Sequence, residues 1–273
     1  MAKKSQGSRR SWAEYLEFLS DIGVESIPRA PAGAADPEER AALPATSVPP
    51  PASVPSVRAP SRAANLSLFP ASPGGEKKKD PNLEAVLADI GDCRRCKLWE
   101  HRSRIVFGSG NPQARVMFVG EGPGADEDEQ GVPFVGKAGQ LLTKIIEAIR
   151  FTREEVYIAN VVKCRPPGNR TPEDDEILAC QGFLFRQVEL VRPWILCALG
   201  APATKTLLGV KTPIGHMRGR WFQCRGAELI PTYHPSYLLR NPTAKKDVWA
   251  DVQSLRARYD QMCLERNSGE KET

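Results

Sequence analysis

Four cysteines offer the plainest chemistry in this chain. Cys93 and Cys96 form a Cys-x2-Cys pair, and Cys164 and Cys180 follow as a wider pair. The tight pair puts two thiolates on one turn, which suits a zinc ion or an iron–sulfur cluster. Spacing alone does not choose between them. Seven cysteines, an odd number, argue for metal ligands plus a few buried thiols, not a disulfide framework. Cys197 sits in an apolar run and reads as core, while Cys224 and Cys263 show no partner pattern.

Three further stretches carry groups that could act on a ligand. Gly120-Glu121-Gly122-Pro123-Gly124 is a glycine-rich turn. It lacks the Gly-Lys-Ser/Thr of a P-loop, and Asp126, Glu127, Asp128 and Glu129 follow at once. Four carboxylates would repel a phosphate, so the turn reads as a close backbone approach to a flat ligand. Phe134, in a loop hemmed by glycines, could stack on a ring. Asn160 presents a donor and an acceptor on one amide, a match for a pyrimidine edge. His234-Pro235-Ser236 follows near the end, then Tyr237-Leu238-Leu239-Arg240. In a loop, that apolar pair could wedge a base step and the arginine could meet a phosphate. His101 and His216 read as packed histidines.

The elements that must hold these groups alternate in type. Strands are expected over residues 115–119, 156–159, 194–199 and 229–232. A helix over 137–150 places Ala138, Leu141, Leu142, Ile145, Ile146 and Ile149 on one face. A second helix is expected to start at Thr171-Pro172, with threonine as cap and Cys180 on its length. Further helices are expected over 201–208 and 244–266. Alternation of this kind means an α/β fold, a parallel central sheet flanked by helices on both faces. Ligands bind such sheets at the carboxyl ends of the strands. Gly120, Asn160, Gly200 and His234 all fall there, so a single site is expected.

The compact domain should span residues 82–266, followed by a disordered tail over 267–273. Residues 28–73 hold eleven prolines, and 28–81 reads as a Pro/Ala-rich disordered linker. Before it, residues 1–27 could form a short amphipathic helix, with Trp12, Tyr15, Leu16 and Leu19 on one face. The chain has no apolar run long enough to span a membrane and no apolar signal segment, so a cytoplasmic protein is expected. The net charge of +5 over 273 residues permits a polyanionic partner without requiring one.

Taken together, these motifs closely resemble the family 4 uracil-DNA glycosylases, the iron–sulfur branch of that superfamily. The likeness runs through Gly120–Gly124 with Glu127-Asp128, through 131–142, through 160–170 and through 232–240. It implies a [4Fe–4S] cluster on Cys93, Cys96, Cys164 and Cys180. It implies a base pocket of Glu121, Gly122, Phe134, Asn160 and His234, in which Phe134 stacks on a flipped uracil. Asn160 would read the uracil edge, and His234 would donate to O2. Glu127 is the expected water-orienting carboxylate, with Glu121 and Asp128 as neighbours. Ser236, Leu238, Leu239 and Arg240 are expected to contact DNA. Residues 166–170 run into Thr171 with no histidine-containing insert, which implies turnover and not covalent trapping of DNA. No lysine stands out as a Schiff-base nucleophile, so strand cleavage is not expected. In the linker, Asn65-Leu66-Ser67-Leu68-Phe69 is similar to the short peptide that docks bacterial DNA enzymes on the sliding clamp. A monomer is expected. The alternative reading is a catalytically idle, metal-containing DNA-binding module associated with that clamp.

Overall fold

The computed structural model describes residues 82–269. The amphipathic helix expected in residues 1–27, the linker over 28–81 and the clamp-like peptide lie outside the described residues.

Six strands form one sheet: β1 (Ser109–Gly110), β2 (Val116–Gly120), β3 (Tyr157–Asn160), β4 (Ile195–Leu199), β5 (Phe222–Cys224) and β6 (Ala227–Thr232). Their order is β1-β3-β2-β4-β6-β5. The central four are parallel, as expected. Both edges are antiparallel, which corrects the purely parallel sheet. The β5 edge arises from a two-residue hairpin. Arg225 (φ 49°) and Gly226 (φ 81°) both take the left-handed region, as the hairpin turn matching strand twist requires.

Side chains alternate across the sheet and build two cores. Met117, Val119, Leu196, Ala198 and Leu229 face helices α1 (Leu83–Ile90), α4 (Asp174–Val191) and α5 (Gly200–Leu208). Val116, Phe118, Ile195, Cys197 and Ile230 face α3 (Lys137–Ala148), α7 (Pro235–Arg240) and α8 (Lys245–Gly269). Two short helices, α2 (Ala125–Gln130) and α6 (Ile214–Met217), complete the set. The result is the expected three-layer arrangement. Cys197 is core, as read from its apolar neighbours.

Some local expectations fail for identifiable reasons. Helix α4 does not begin at Thr171. Its cap is Glu173, whose amide donates to the buried Glu176 carboxylate at 2.8 Å, and Glu176 also pairs with Arg170 at 2.6 Å. That reciprocal cap and ion pair set the cap two residues later. Residues 235–240 are a helix and not a loop. Helix α8 continues to Gly269, past the expected boundary at 266. His101 and His216 are exposed, not packed.

Helix α8 is pinned to the sheet by a buried carboxylate. Asp251, 3% exposed, accepts from the Thr232 hydroxyl at 2.6 Å and from Arg218 at 2.7 Å. Removing one partner of such a pair strands the others. Asp251→Ala should therefore lose about 3 kcal/mol of stability, read as a lower urea midpoint. An unchanged midpoint would show that the pairing is slack.

Candidate active site

A cavity of about 430 Å³ opens at the carboxyl ends of the central strands. It brings together Glu121, Gly122, Glu127, Phe134, Asn160, His234, Ser236 and Arg240. Leu238 does not join them. It is 1% exposed and packs in the core beneath α7, so it is no wedge for DNA. Leu239, at 49% exposure, is the apolar side chain that reaches solvent there.

Phe134 is held in an unfavourable conformation. Its φ of 55° lies in the left-handed region, which costs a bulky residue of order 1–3 kcal/mol. The neighbours over-determine it. Glu127 Oε1 accepts the amides of Val135 and Gly136, both at 2.9 Å, and its Oε2 accepts the Gly124 amide at 3.0 Å. Arg153 donates to the Pro133 carbonyl and, at 3.1 Å, to the Thr143 hydroxyl. A Cβ on Gly139 would lie 2.0 Å from the Phe134 carbonyl carbon, so α3 must offer bare backbone there. Glu127 is thus first a clamp on the loop carrying Phe134. Three of its roughly four acceptor positions are used, which leaves one at the cavity wall. Asp128 is spent elsewhere, on the amides of Ser103 and Arg104. Burial pushes the Glu121 carboxyl up, against a hydrogen bond from Thr171.

His234 ends the strand-to-helix turn and caps α7. Its Nδ1 accepts the Ser236 amide at 3.1 Å and lies 2.8 Å from the Ser236 hydroxyl. Because Nδ1 accepts, a neutral ring must carry its proton on Nε2. Burial lowers its pKa to about 4, assisted by nearby Arg240 and opposed by Glu127. The ring is therefore a neutral Nε2–H donor at physiological pH. It lies 5.6 Å from the Phe134 ring, centroid to centroid.

Asn160 is 1% exposed, and its Oδ1 has no hydrogen-bond partner. It is the one buried side-chain atom among the described residues in that state. Such an atom costs roughly 1–3 kcal/mol, a cost a ligand N–H would remove.

Beside this cavity, Cys93, Cys96, Cys164 and Cys180 line one small enclosed void of about 10 Å³. No group of three or more candidate ligands among the described residues converges on a single metal ion. Two donors point at sulfur. Arg102 reaches Cys164 Sγ at 3.4 Å, and the Lys163 amide reaches Cys180 Sγ at 3.3 Å. Burial raises the Cys180 thiol to about 12 and raises Cys164 and Cys96 as well. Thiols so buried ionise only with a cationic partner such as a metal centre. Four thiols with hydrogen bonds to sulfur are a donor set that fits a [4Fe–4S] cluster.

The family model of the uracil DNA glycosylase superfamily matches residues 107–253. The type-4 uracil-DNA glycosylase of Thermotoga maritima is 48% identical over 163 residues, 58% of this chain and 84% of that protein. Those of Saccharolobus solfataricus and Sulfurisphaera tokodaii are 44% and 42% identical over 184 residues, covering 64% of this chain and 85% and 84% of theirs. This chain belongs to the type-4 uracil-DNA glycosylases.

Within that type-4 frame, most candidate residues meet in one pocket or one cysteine void. Arg153, Lys163 and Gln187 escaped the sequence reading. Each acts across ten or more positions or through main chain, so no local pattern marks it. The Ser236 contact to Nδ1 was legible in part, since a serine two residues on is within reach of a capping histidine.

One titration follows from this geometry. The folded protein binds the His234 proton only near pH 4, whereas the unfolded chain binds it near 6.5. Stability from this residue is full above pH 6.5 and is lost as pH falls toward 4. Ring resonances followed by NMR should show a midpoint near 4. A midpoint at 6 or above would refute the neutral-donor assignment.

Proposed function

We propose that this chain removes uracil from DNA by hydrolysing its N-glycosidic bond, leaving an abasic site without cutting the strand. The partnerless Oδ1 of buried Asn160, in a pocket of this family, carries the reading. Uracil presents N3–H beside O4, and an amide offers the complementary acceptor and donor. Cytosine reverses that pattern and would leave both sites unmatched. The curated relatives are named as uracil-DNA glycosylases, which does not favour the idle DNA-binding alternative.

The base must leave the stack to reach the pocket, at a cost of a few kcal/mol. Phe134 offers a face for it, and the Gly122 main chain can approach its edge. As the N1–C1′ bond lengthens, negative charge grows on uracil O2. The His234 Nε2–H is a donor available there, already desolvated, with its tautomer set by Ser236. Glu127 retains one acceptor position for a water approaching C1′, and its charge opposes the growing charge on the sugar. Leu239 and Arg240 stand at the rim, where a wedge and a phosphate contact would help hold the base out. Cys93, Cys96, Cys164 and Cys180 would hold a [4Fe–4S] cluster. When bound, it would cross-link residues 93–96 to the β3 loop and α4.

None of the helices among the described residues is long and apolar enough to cross a membrane. A cytoplasmic monomer acting on uracil-containing DNA fits this reading, with Asn65-Leu66-Ser67-Leu68-Phe69 as a tethered contact for a sliding clamp. Replacing Leu68 and Phe69 by alanine should abolish clamp capture while leaving turnover on short oligonucleotides intact. Unchanged capture removes the clamp contact.

The activity itself is tested by release of uracil from an oligonucleotide holding one deoxyuridine, beside thymine and cytosine controls. Cleavage only at uracil is expected after alkali. Asn160→Ala should lower kcat/KM by about 10²–10³. Equal action on cytosine, or an Asn160→Ala variant at full activity, would overturn the assignment.

A further inference from the structure

Lys163 is 1% exposed and ranks among the largest fully buried side chains of the described residues. A lysine is almost never buried so completely without partners. This one lies between the two cavities. It lines the cysteine void, while Asn160, three residues earlier, lines the base pocket.

Its hydrogen bonds run to both sides. The ammonium donates to the Asn160 main-chain carbonyl at 2.8 Å and to Gln187 Oε1 at 2.6 Å. The Lys163 amide donates to Cys180 Sγ at 3.3 Å. Its carbonyl accepts the Val106 amide at 2.8 Å. Gln187 is itself fixed, donating to the Phe107 carbonyl at 3.0 Å and lying 3.2 Å from the Tyr157 hydroxyl. Just after β3, Val161 and Val162 donate to the carbonyls of Gly120 and Glu121 at the end of the neighbouring β2. The Val161 bond holds the N–H side of the planar Asn160–Val161 peptide. Lys163 holds the carbonyl side of the same peptide, so the two bonds together set its tilt beside the Cα that carries the Asn160 amide.

We propose that Lys163 is a positioning residue for Asn160, tethering the base-reading amide to the Cys180 end of the metal-binding loop. This rests on the uracil-removal reading above. Without the ammonium, the buried Asn160 carbonyl loses this donor and the peptide, held on its Val161 side only, can tilt about the Val161–Gly120 bond. The Asn160 amide then no longer presents Oδ1 at a fixed angle. Phosphate contacts, which dominate DNA affinity, are untouched.

The test uses the cluster-loaded protein and the near-isosteric Lys163→Met variant. Iron per chain, free-uracil affinity by calorimetry, and kcat and KM on a deoxyuridine oligonucleotide are measured together. The expected result is iron content equal to the wild type, about tenfold weaker uracil binding and about tenfold lower kcat, with KM for DNA unchanged. Gln187→Met, which removes only the brace on the ammonium, should shift the same quantities the same way by a smaller factor. It decides the matter if Lys163→Met does not fold. Two results overturn the proposal. One is iron retained with uracil affinity and kcat intact. The other is iron lost while the loaded fraction binds uracil normally, which would make Lys163 a brace for the cysteines alone. Failure of the wild type to release uracil would instead strike the glycosylase reading.

Discussion

A Cβ at Gly120 would stand 2.4 Å from Asn160 Oδ1 and 2.5 Å from the Phe134 ring. Neither neighbour can retreat. Asn160 closes a central parallel strand, and Phe134 is clamped by Glu127, Arg153 and the bare backbone of Gly139. The Asn160 amide and the Phe134 ring can therefore share one floor only because that floor has no side chain. The rest of the pocket depends on this crowding. It explains why the last residue of β2 is glycine, why the Phe134 loop doubles back in a left-handed conformation, and why Asn160 Oδ1 is sealed from water.

The same dryness sets the electrostatics. A buried carboxylate beside a developing cation, and a neutral donor beside a developing anion, act strongly when water is excluded. His234 fits this scheme because it is uncharged. A charged imidazolium would have to be desolvated in every resting molecule, and burial instead lowers its pKa to about 4. Ser236 then supplies what the charge would have supplied, a fixed direction for the remaining proton. Glu127 shows the complementary economy. By accepting three amides it has both carboxylate oxygens bound inside the wall.

The layered fold was legible because it rests on period and alternation. Four apolar runs at the right separations, each followed by a chemically distinctive residue, leave little choice beyond a parallel sheet with its site at one end. What escaped notice depends on single atoms. The β5 edge hangs on an arginine in a left-handed turn, where sequence reading looks for asparagine or glycine. The start of α4 hangs on a buried glutamate–arginine pair, not on the threonine and proline that resemble a cap. Leu238 and Leu239 are adjacent and identical in type, so only the helical register of residues 235–240 tells which is core and which is rim. Glu121, Gly122, Asn160 and His234 were visible because each sits at or just after a strand end, and Phe134 because glycines flank its loop. Arg153, which clamps Phe134 from a different element, was not.

The placement of the cysteines would give a metal centre held there a mechanical meaning. Cys93 and Cys96 sit just beyond α1, a two-turn helix that buries only Val86 and Ile90. Such a helix holds weakly to a domain through packing alone. Cys164 and Cys180 belong to the loop and helix that follow the base-reading strand. A centre bridging all four would close a loop of some seventy residues and would add to the Asp89–Arg186 ion pair that joins α1 to α4. The bonds that reach those sulfurs come from Arg102 and from the main chain of Lys163, and the Lys163 side chain continues to the Asn160 carbonyl. Such a centre would not need to take part in breaking the glycosidic bond to matter for it. By holding the loop from which Asn160 is braced, it would limit how far the Asn160 amide can drift.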